Sequence, residues 1–130
     1  MQLFAVLLST HLKPSEAAHI LNDSGARMLI TSADVGETAL VLAADRGTLI
    51  PDVGSILSAG PDPLPGARPF YPAITGYSTI PIADERSGFY IIYSSGTTGL
   101  PKGIMLPFTP GTIHELSPVE GSWQMYAAFD

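Results

Sequence analysis

Apolar residues fall in short runs that alternate with helical patterns in the first half of the chain. Residues 4–8 form a continuous apolar run, which is typical of a strand buried on both faces. Pro14 suits the first turn of a helix, an apolar helical face follows it, and Gly25 suits the position just past the helix end. Residues 27–31 read as a second strand, so residues 4–31 predict one right-handed βαβ unit.

The next segment predicts a second helix and a weaker strand. Asp34 and Glu37 have the spacing of a capping box, which predicts a helix that begins after Asp34. This helix is expected to run to about Arg46, where Gly47 would end it. The apolar stretch 49–57 is interrupted by a proline and a glycine, and it predicts only a weak strand.

Prolines separate this βαβα-like first half, residues 1–59, from the rest of the chain. Five prolines within residues 60–72 exclude a helix and a central strand there, and we predict a connector over residues 60–88. Residues 89–106 then predict a buried strand, a glycine-rich loop and a second strand. Further prolines and glycines follow, so residues 107–130 are predicted to be irregular.

The glycine-rich loop between these two strands carries the candidate chemistry. Residues 93–103 read Tyr-Ser-Ser-Gly-Thr-Thr-Gly-Leu-Pro-Lys-Gly, which combines four serine and threonine hydroxyls, three glycines and one lysine. Glycine lets the backbone approach a ligand closely, and successive amides in such turns form a concavity that binds anions. Together with a cation, these groups favour a polyphosphate ligand.

Two common phosphate-binding motifs fail to match this loop. A Walker-type loop has a Ser or Thr after its lysine, whereas Gly103 follows Lys102 here. The Rossmann pattern Gly-x-Gly-x-x-Gly is also absent. A flexible linker would explain the glycines and hydroxyls, but it would not explain the Pro-Lys-Gly run or the apolar strands on both sides.

Composition narrows the class of protein. The chain has 130 residues and a net charge of −6, with 45% apolar and only 14% charged residues. So little charge predicts either very buried strands or a piece of something larger, whose apolar edges could self-associate. Six scattered basic residues form no basic stripe, so no nucleic acid partner is expected. We also predict no metal site formed by side chains and no transmembrane segment.

The loop resembles the signature of the adenylate-forming (ANL) superfamily, which includes acyl-CoA synthetases, adenylation domains of peptide synthetases and luciferases. That signature reads Tyr/Phe-Thr/Ser-Ser-Gly-Thr-Thr-Gly-x-Pro-Lys-Gly, and residues 93–103 match it throughout. Residues 14–26 resemble the family's Pro-x-Glu … Ile-Leu-x-Asp-Ser-Gly-Ala segment. The resemblance implies an α/β fold, in which residues 1–130 are a partial AMP-binding domain, a fragment of the large N-terminal domain of these enzymes.

The resemblance also implies a reaction. Such enzymes convert a carboxylic acid and ATP to an acyl-adenylate and pyrophosphate, and then transfer the acyl group to coenzyme A. The implied cofactors are ATP, Mg²⁺ and coenzyme A, and the implied setting is cytoplasmic fatty acid metabolism. The resemblance assigns contacts with the ATP phosphates to Ser94, Ser95, Gly96, Thr97, Thr98 and Lys102.

In this family the adenine-binding motif, the ribose-binding aspartate and the catalytic lysine lie far downstream of the signature loop. The resemblance therefore implies that these 130 residues contain no catalytic residue and do not catalyse acyl adenylation on their own. The alternative is a non-catalytic truncated module that binds a nucleotide or a partner weakly.

Overall fold

The structure is a computed structural model that describes residues 3–86, 88–95, 99–105 and 111. In chain order, the strands are β1 (Phe4–Leu7), β2 (Met28–Thr31), β3 (Ser55–Ser58), β4 (Arg68–Pro69), β5 (Phe89–Ser95) and β6 (Pro101–Met105). The helices are α1 (Pro14–Asp23), α2 (Glu37–Ala44), α3 (Arg46–Leu49) and α4 (Phe70–Ile74), with a 3₁₀ turn at Ala33–Val35. Within the described ranges, no helix is both long and apolar enough to cross a membrane.

The strands form two small sheets. One has the order β1-β5-β6, with β1 parallel and β6 antiparallel to the central β5; the other is the parallel sheet β2-β3-β4. The α/β class is confirmed, and the first half does run strand, helix, strand, helix. The predicted βαβ unit over residues 4–31 is wrong, because β1 pairs with β5 and β2 pairs with β3. Strands that are neighbours in sequence often pair, but the second half of this chain supplies the partner of β1.

Local signals set both ends of α1. The helix begins at Pro14, as predicted, and the backbone N–H of Lys13 donates to the Glu16 carboxylate at 2.8 Å. At the other end, the N–H of Ala26 donates to the carbonyl oxygen of Leu21 at 3.0 Å, across the glycine that was predicted to end the helix. Both bonds satisfy backbone groups that a helix end leaves free, and the second belongs to the Schellman pattern.

The second helix begins later and ends earlier than the sequence predicts. Asp34 lies within the 3₁₀ turn, and Gly36 is the N-cap with a φ of 77°, a conformation that glycine adopts without strain. The helix ends at Ala44. Gly47 lies inside α3, because the carbonyl oxygen of Asp45 accepts new i+3 and i+4 bonds and the chain becomes helical again.

The proline-rich connector contains more regular structure than predicted. Pro69 lies in β4, an edge strand, where a residue without an N–H is tolerated. The prediction of no helix is wrong for α4, in which Pro72 is the third residue. The first N–H groups of a helix have no partner within it, so a proline at this position removes no helical hydrogen bond.

The core lies between α1, α2 and the sheet β2-β3-β4. Alanines on the facing sides of the two helices leave room for close packing, and larger aliphatic side chains from β2, β3 and the loops fill the space beside them. The buried residues of this cluster are Ala17, Ala18, Leu21, Leu29, Ala39, Leu42, Ala43, Ile50, Val53, Ile56 and Leu64.

The sheet β1-β5-β6 is far more open than this core. Phe4 is 45% exposed, Leu7 59% and Tyr90 49%. The prediction of strands buried on both faces is therefore wrong for β1 and β5. The physical reason is that α1, which packs against this sheet, contacts it chiefly at β6.

Two leucines of α2 test the position of the core. Leu42 is 2% exposed, whereas Leu40 on the same helix is 47% exposed. We expect Leu42→Ala to lower the free energy of unfolding by about 2–5 kcal/mol, because it leaves a cavity. The control Leu40→Ala should change it by about 0.5 kcal/mol or less. Urea unfolding measures both, and equal losses would contradict this packing.

Candidate functional site

The candidate site lies on a β-hairpin. Both ends of the predicted loop belong to strands: Tyr93 to Ser95 complete β5, and Pro101 to Gly103 begin β6. The antiparallel ladder continues to the pair Ser95 and Pro101. The strand–loop–strand order is thus present, but the strands extend further into the glycine-rich motif than its composition suggests.

Two of the predicted phosphate contacts face each other across this hairpin. Ser94 and Lys102 are Cα partners in the β5–β6 ladder, and both are exposed. Residues directly opposite in an antiparallel ladder present their side chains on the same face, about 5 Å apart at Cβ. A hydroxyl and an ammonium are therefore brought together on one open surface, where both can donate to a single anion.

The structure describes less of the other four residues that are predicted to contact phosphate. Ser95 is the last residue of β5, and its backbone pairs with Pro101. Gly96, Thr97 and Thr98 lie outside the described residues. The structure therefore brings together Ser94 and Lys102 of the six predicted residues, and it places the backbone of Ser95 next to them.

The opposite face of the hairpin contacts α1. The Tyr93 hydroxyl donates to the Asp23 carboxylate, with 2.7 Å between the oxygens. His19 Nε2 lies 3.2 Å from the carbonyl oxygen of Pro101. Since a carbonyl oxygen can only accept, this nitrogen carries the hydrogen. His19 and Asp23 are four residues apart on α1, so they lie on the same face of the helix.

Gly103 makes room for the ring of Tyr93. The two residues are cross-strand partners. A Cβ atom at position 103 would lie 3.0 Å from Cζ of Tyr93 and 3.1 Å from its hydroxyl oxygen. The sequence suggests that the glycines let the backbone approach a ligand, but Gly103 permits the close approach of an aromatic ring.

A small pocket of about 150 Å³ lies on this α1 side of the hairpin. Its lining includes the aliphatic residues Leu12 and Ile20, the carboxylate of Glu16, and Tyr93 and Pro101. Side chains alternate along a strand, so this pocket and the Ser94–Lys102 pair belong to opposite faces. An acidic group among apolar ones does not suit a polyphosphate, which favours the exposed face as the phosphate site.

Sequence reasoning missed the residues that join the hairpin to α1. His19 is half-buried, and its contact with Pro101 is not predicted by the sequence patterns. Asp23 and Tyr93 were noted only as parts of motifs. The i, i+4 spacing of His19 and Asp23 was the available signal, because it places two polar groups on one stripe of a helix whose other side is apolar.

The Asp23 contact changes the acidity of Tyr93. Burial and the hydrogen bond with the Asp23 carboxylate raise the pKa of Tyr93 from 10.0 to about 12, and a hydrogen bond with Ser24 opposes this shift in part. The folded state thus holds the phenol proton more tightly than the unfolded state. The raised pKa of Tyr93 therefore corresponds to a stabilising contribution to folding, which is complete below pH 10 and is lost as the pH rises through the folded pKa.

A spectroscopic titration tests this contact. We expect Asp23→Asn to lower the pKa of Tyr93, because the mutation removes the negative charge beside the phenol, while burial and the remaining oxygen acceptor still raise it. The phenolate absorbance in the near ultraviolet measures the titration. Tyr93→Phe should remove the ionisation step at the highest pH, which assigns that step to Tyr93. If the pKa of this step is unchanged in Asp23→Asn, the carboxylate does not contact the phenol.

Comparisons with known proteins identify the family of the chain. The profile of the family described as AMP-binding enzyme matches residues 1–122. The chain is 36% identical over 109 residues to a 4-chlorobenzoate–CoA ligase of Pseudomonas sp. (strain CBS-3), covering 82% of this chain and 19% of that ligase. It is 33% identical over 104 residues to a 4-hydroxybenzoate–CoA/benzoate–CoA ligase of Rhodopseudomonas palustris, covering 77% and 18%.

A synthetase matches as well. The malpibaldin synthetase of Mortierella alpina is 33% identical over 99 residues, covering 69% of this chain and 2% of the synthetase. The chain thus spans a fifth or less of the length of these relatives. No solved structure matches it. The family match over nearly the whole chain confirms the resemblance seen in the glycine-rich motif, and the chain belongs to the AMP-binding enzyme family.

Proposed function

We propose that this chain is the ATP-phosphate-binding segment of an AMP-forming acid–thiol ligase. In this reaction a carboxylic acid and ATP give an acyl-adenylate and pyrophosphate, and the acyl group then passes to coenzyme A. The observation that carries the proposal is the exposed Ser94–Lys102 pair on the β5–β6 hairpin. Membership of the AMP-binding family and the two CoA ligases among the relatives support it.

The chemistry of the pair suits a phosphate. The lysine ammonium has three donors and acts as a point charge, and the serine hydroxyl adds one more donor beside it. Hydrogen bonds to a charged group contribute about 1.5–3 kcal/mol each. The ladder fixes the spacing of the two residues before any ligand binds, so little ordering of the backbone is needed. In the proposal, Ser95, Gly96, Thr97 and Thr98 complete the grip.

The same donors would favour the reaction itself. When the acid attacks the α-phosphorus, negative charge spreads onto the departing pyrophosphate. Donors that are already in place stabilise this charge, and Lys102 is the cation that the hairpin supplies. In the ranges that the structure describes, no three acidic or histidine side chains converge to hold a metal ion. In the proposal, Mg²⁺ arrives with ATP, as the counter-ion of its phosphates.

The carboxylic acid substrate and the cellular compartment of the reaction are further parts of the proposal. Two relatives are named as ligases of substituted benzoates or benzoate, so we propose an aromatic acid as the first substrate to try. Because ATP and coenzyme A are abundant in the cytoplasm, we place the reaction there. The runner-up is a non-catalytic module that binds a nucleotide or a partner weakly.

Nucleotide titration of two lysine variants tests the phosphate grip. We expect Lys102→Ala to weaken the binding of Mg·ATP about tenfold or more, because it removes a charge-assisted hydrogen bond. Lys13→Ala is the matched control, since Lys13 is also exposed but lies at the start of α1, outside the hairpin. Calorimetry measures both dissociation constants, with Thr98→Ala as a second loop variant. Equal binding by the wild type, Lys102→Ala and Thr98→Ala would overturn the proposal.

An exchange assay separates binding from chemistry. We propose that these 130 residues grip the phosphates without completing acyl adenylation, since the chain spans a fifth or less of its relatives. Labelled pyrophosphate should therefore not enter ATP when the chain is incubated with benzoate, Mg²⁺ and ATP. Exchange that depends on the carboxylate and is lost in Lys102→Ala would show instead that the chain carries the whole first half-reaction.

A further inference from the structure

We propose that Tyr93, Asp23 and His19 are positioning residues, which hold the β5–β6 hairpin against α1 so that Ser94 and Lys102 stay directed towards the phosphates. None of the three would touch the nucleotide. The inference rests on the proposed function of the hairpin, and it assigns to α1 a role that the phosphate motif alone does not contain.

The hairpin needs support from outside its own strands. β6 is an edge strand, and its side chains from Lys102 to Met105 are exposed. The buried cluster between α1, α2 and the second sheet includes no residue of β5 or β6. β5 also pairs with β1, but this three-stranded sheet leaves large apolar side chains exposed, so contacts with a packed element help to define the position of the hairpin.

The Tyr93–Asp23 bond fixes one strand. A distance of 2.7 Å is typical of a hydroxyl that donates to a carboxylate, and such bonds are stronger than neutral ones. The missing side chain of Gly103 lets the ring lie across β6. Neighbouring side chains in a strand point to opposite faces, so holding Tyr93 on the α1 side directs Ser94 away from α1.

The His19 contact fixes the other strand. Its Nε2 donates to the carbonyl oxygen of Pro101, the residue immediately before Lys102. Proline has a fixed φ, so holding its carbonyl group also sets the direction in which the chain continues. One face of α1 thus contacts both strands, next to each residue of the Ser94–Lys102 pair.

The helix is itself well anchored. Ala17, Ala18 and Leu21 of α1 are buried in the core cluster. The Asn22 amide donates to the carbonyl oxygen of Leu49 in α3 at 2.7 Å. The helix therefore links the hairpin to the best packed part of the structure, and it can transmit that rigidity to the site.

Adjacent residues of α1 provide a matched pair of variants. Asp23→Ala removes the acceptor of the Tyr93 bond, whereas Asn22→Ala removes an equally short bond from the same turn that is directed to α3. Both residues are exposed. Asn22→Ala therefore controls for a general weakening of the end of α1, while it leaves the contact with the hairpin intact.

Hydrogen exchange and Mg·ATP titration of the full chain measure the effect. We expect the amides of residues 89–95, 99–100 and 102–105 to exchange about three- to tenfold faster in Asp23→Ala and in Tyr93→Phe than in Asn22→Ala, because the lost bond lowers the cost of local opening. The dissociation constant of Mg·ATP should rise by a similar factor. Asp23→Asn keeps an oxygen acceptor and should restore part of both quantities.

A double-mutant comparison decides whether the two groups act as a pair. Tyr93→Phe combined with Asp23→Ala should weaken Mg·ATP binding no more than either single variant, since both remove the same bond. If the double variant weakens Mg·ATP binding by the product of the two single effects, the positioning role is overturned. Equal amide exchange of the hairpin in Asp23→Ala and Asn22→Ala would overturn it as well. If Lys102→Ala leaves binding unchanged while exchange in the hairpin still responds to Asp23→Ala, the phosphate site fails and the structural contact stands.

Discussion

The hydrogen bond from the Tyr93 hydroxyl to the Asp23 carboxylate joins two parts of the chain that are 70 residues apart. On one side of this bond is a helix packed into the core, and on the other is a hairpin whose outer surface is open. Other features of the hairpin follow from this contact. Gly103 must lack a side chain because the tyrosine ring occupies its space, and Ser94 and Lys102 face outwards because their neighbours face α1.

The contrast between a helix packed into the core and a hairpin with an open outer surface explains why burial is uneven across the structure. The aliphatic core lies between two helices and the parallel sheet β2-β3-β4, while the mixed sheet β1-β5-β6 leaves large apolar side chains open. A surface that we propose to bind phosphate must remain accessible to its ligand, so it cannot be stabilised by burial of its own outer face. Contacts on the inner face of the hairpin, with α1, are the physical alternative.

Sequence patterns predicted the features that depend on local interactions. Pro14 and Gly25 marked both ends of α1 correctly, because capping and helix-ending signals act within one turn. The pairing of β1 with β5 could not be predicted from neighbouring residues, since the partner lies more than eighty residues away. The helix that contains Pro72 was missed because proline density says nothing about where in a helix a proline falls.

The candidate site, too, could be predicted from the sequence only where it depends on a local motif. The glycine-rich motif predicts Ser94 and Lys102 as candidate phosphate contacts, whereas the bond between Tyr93 and Asp23 depends on the packing of the hairpin against α1. The most direct test of the whole account is an NMR titration of the isotope-labelled chain with Mg·ATP. Backbone amide signals of residues 94–95, 99–100 and 102–103 should shift together with one dissociation constant, while those of β2 and β3 stay unchanged. Shifts confined to β2 and β3, or no saturable shift in the hairpin, would contradict it.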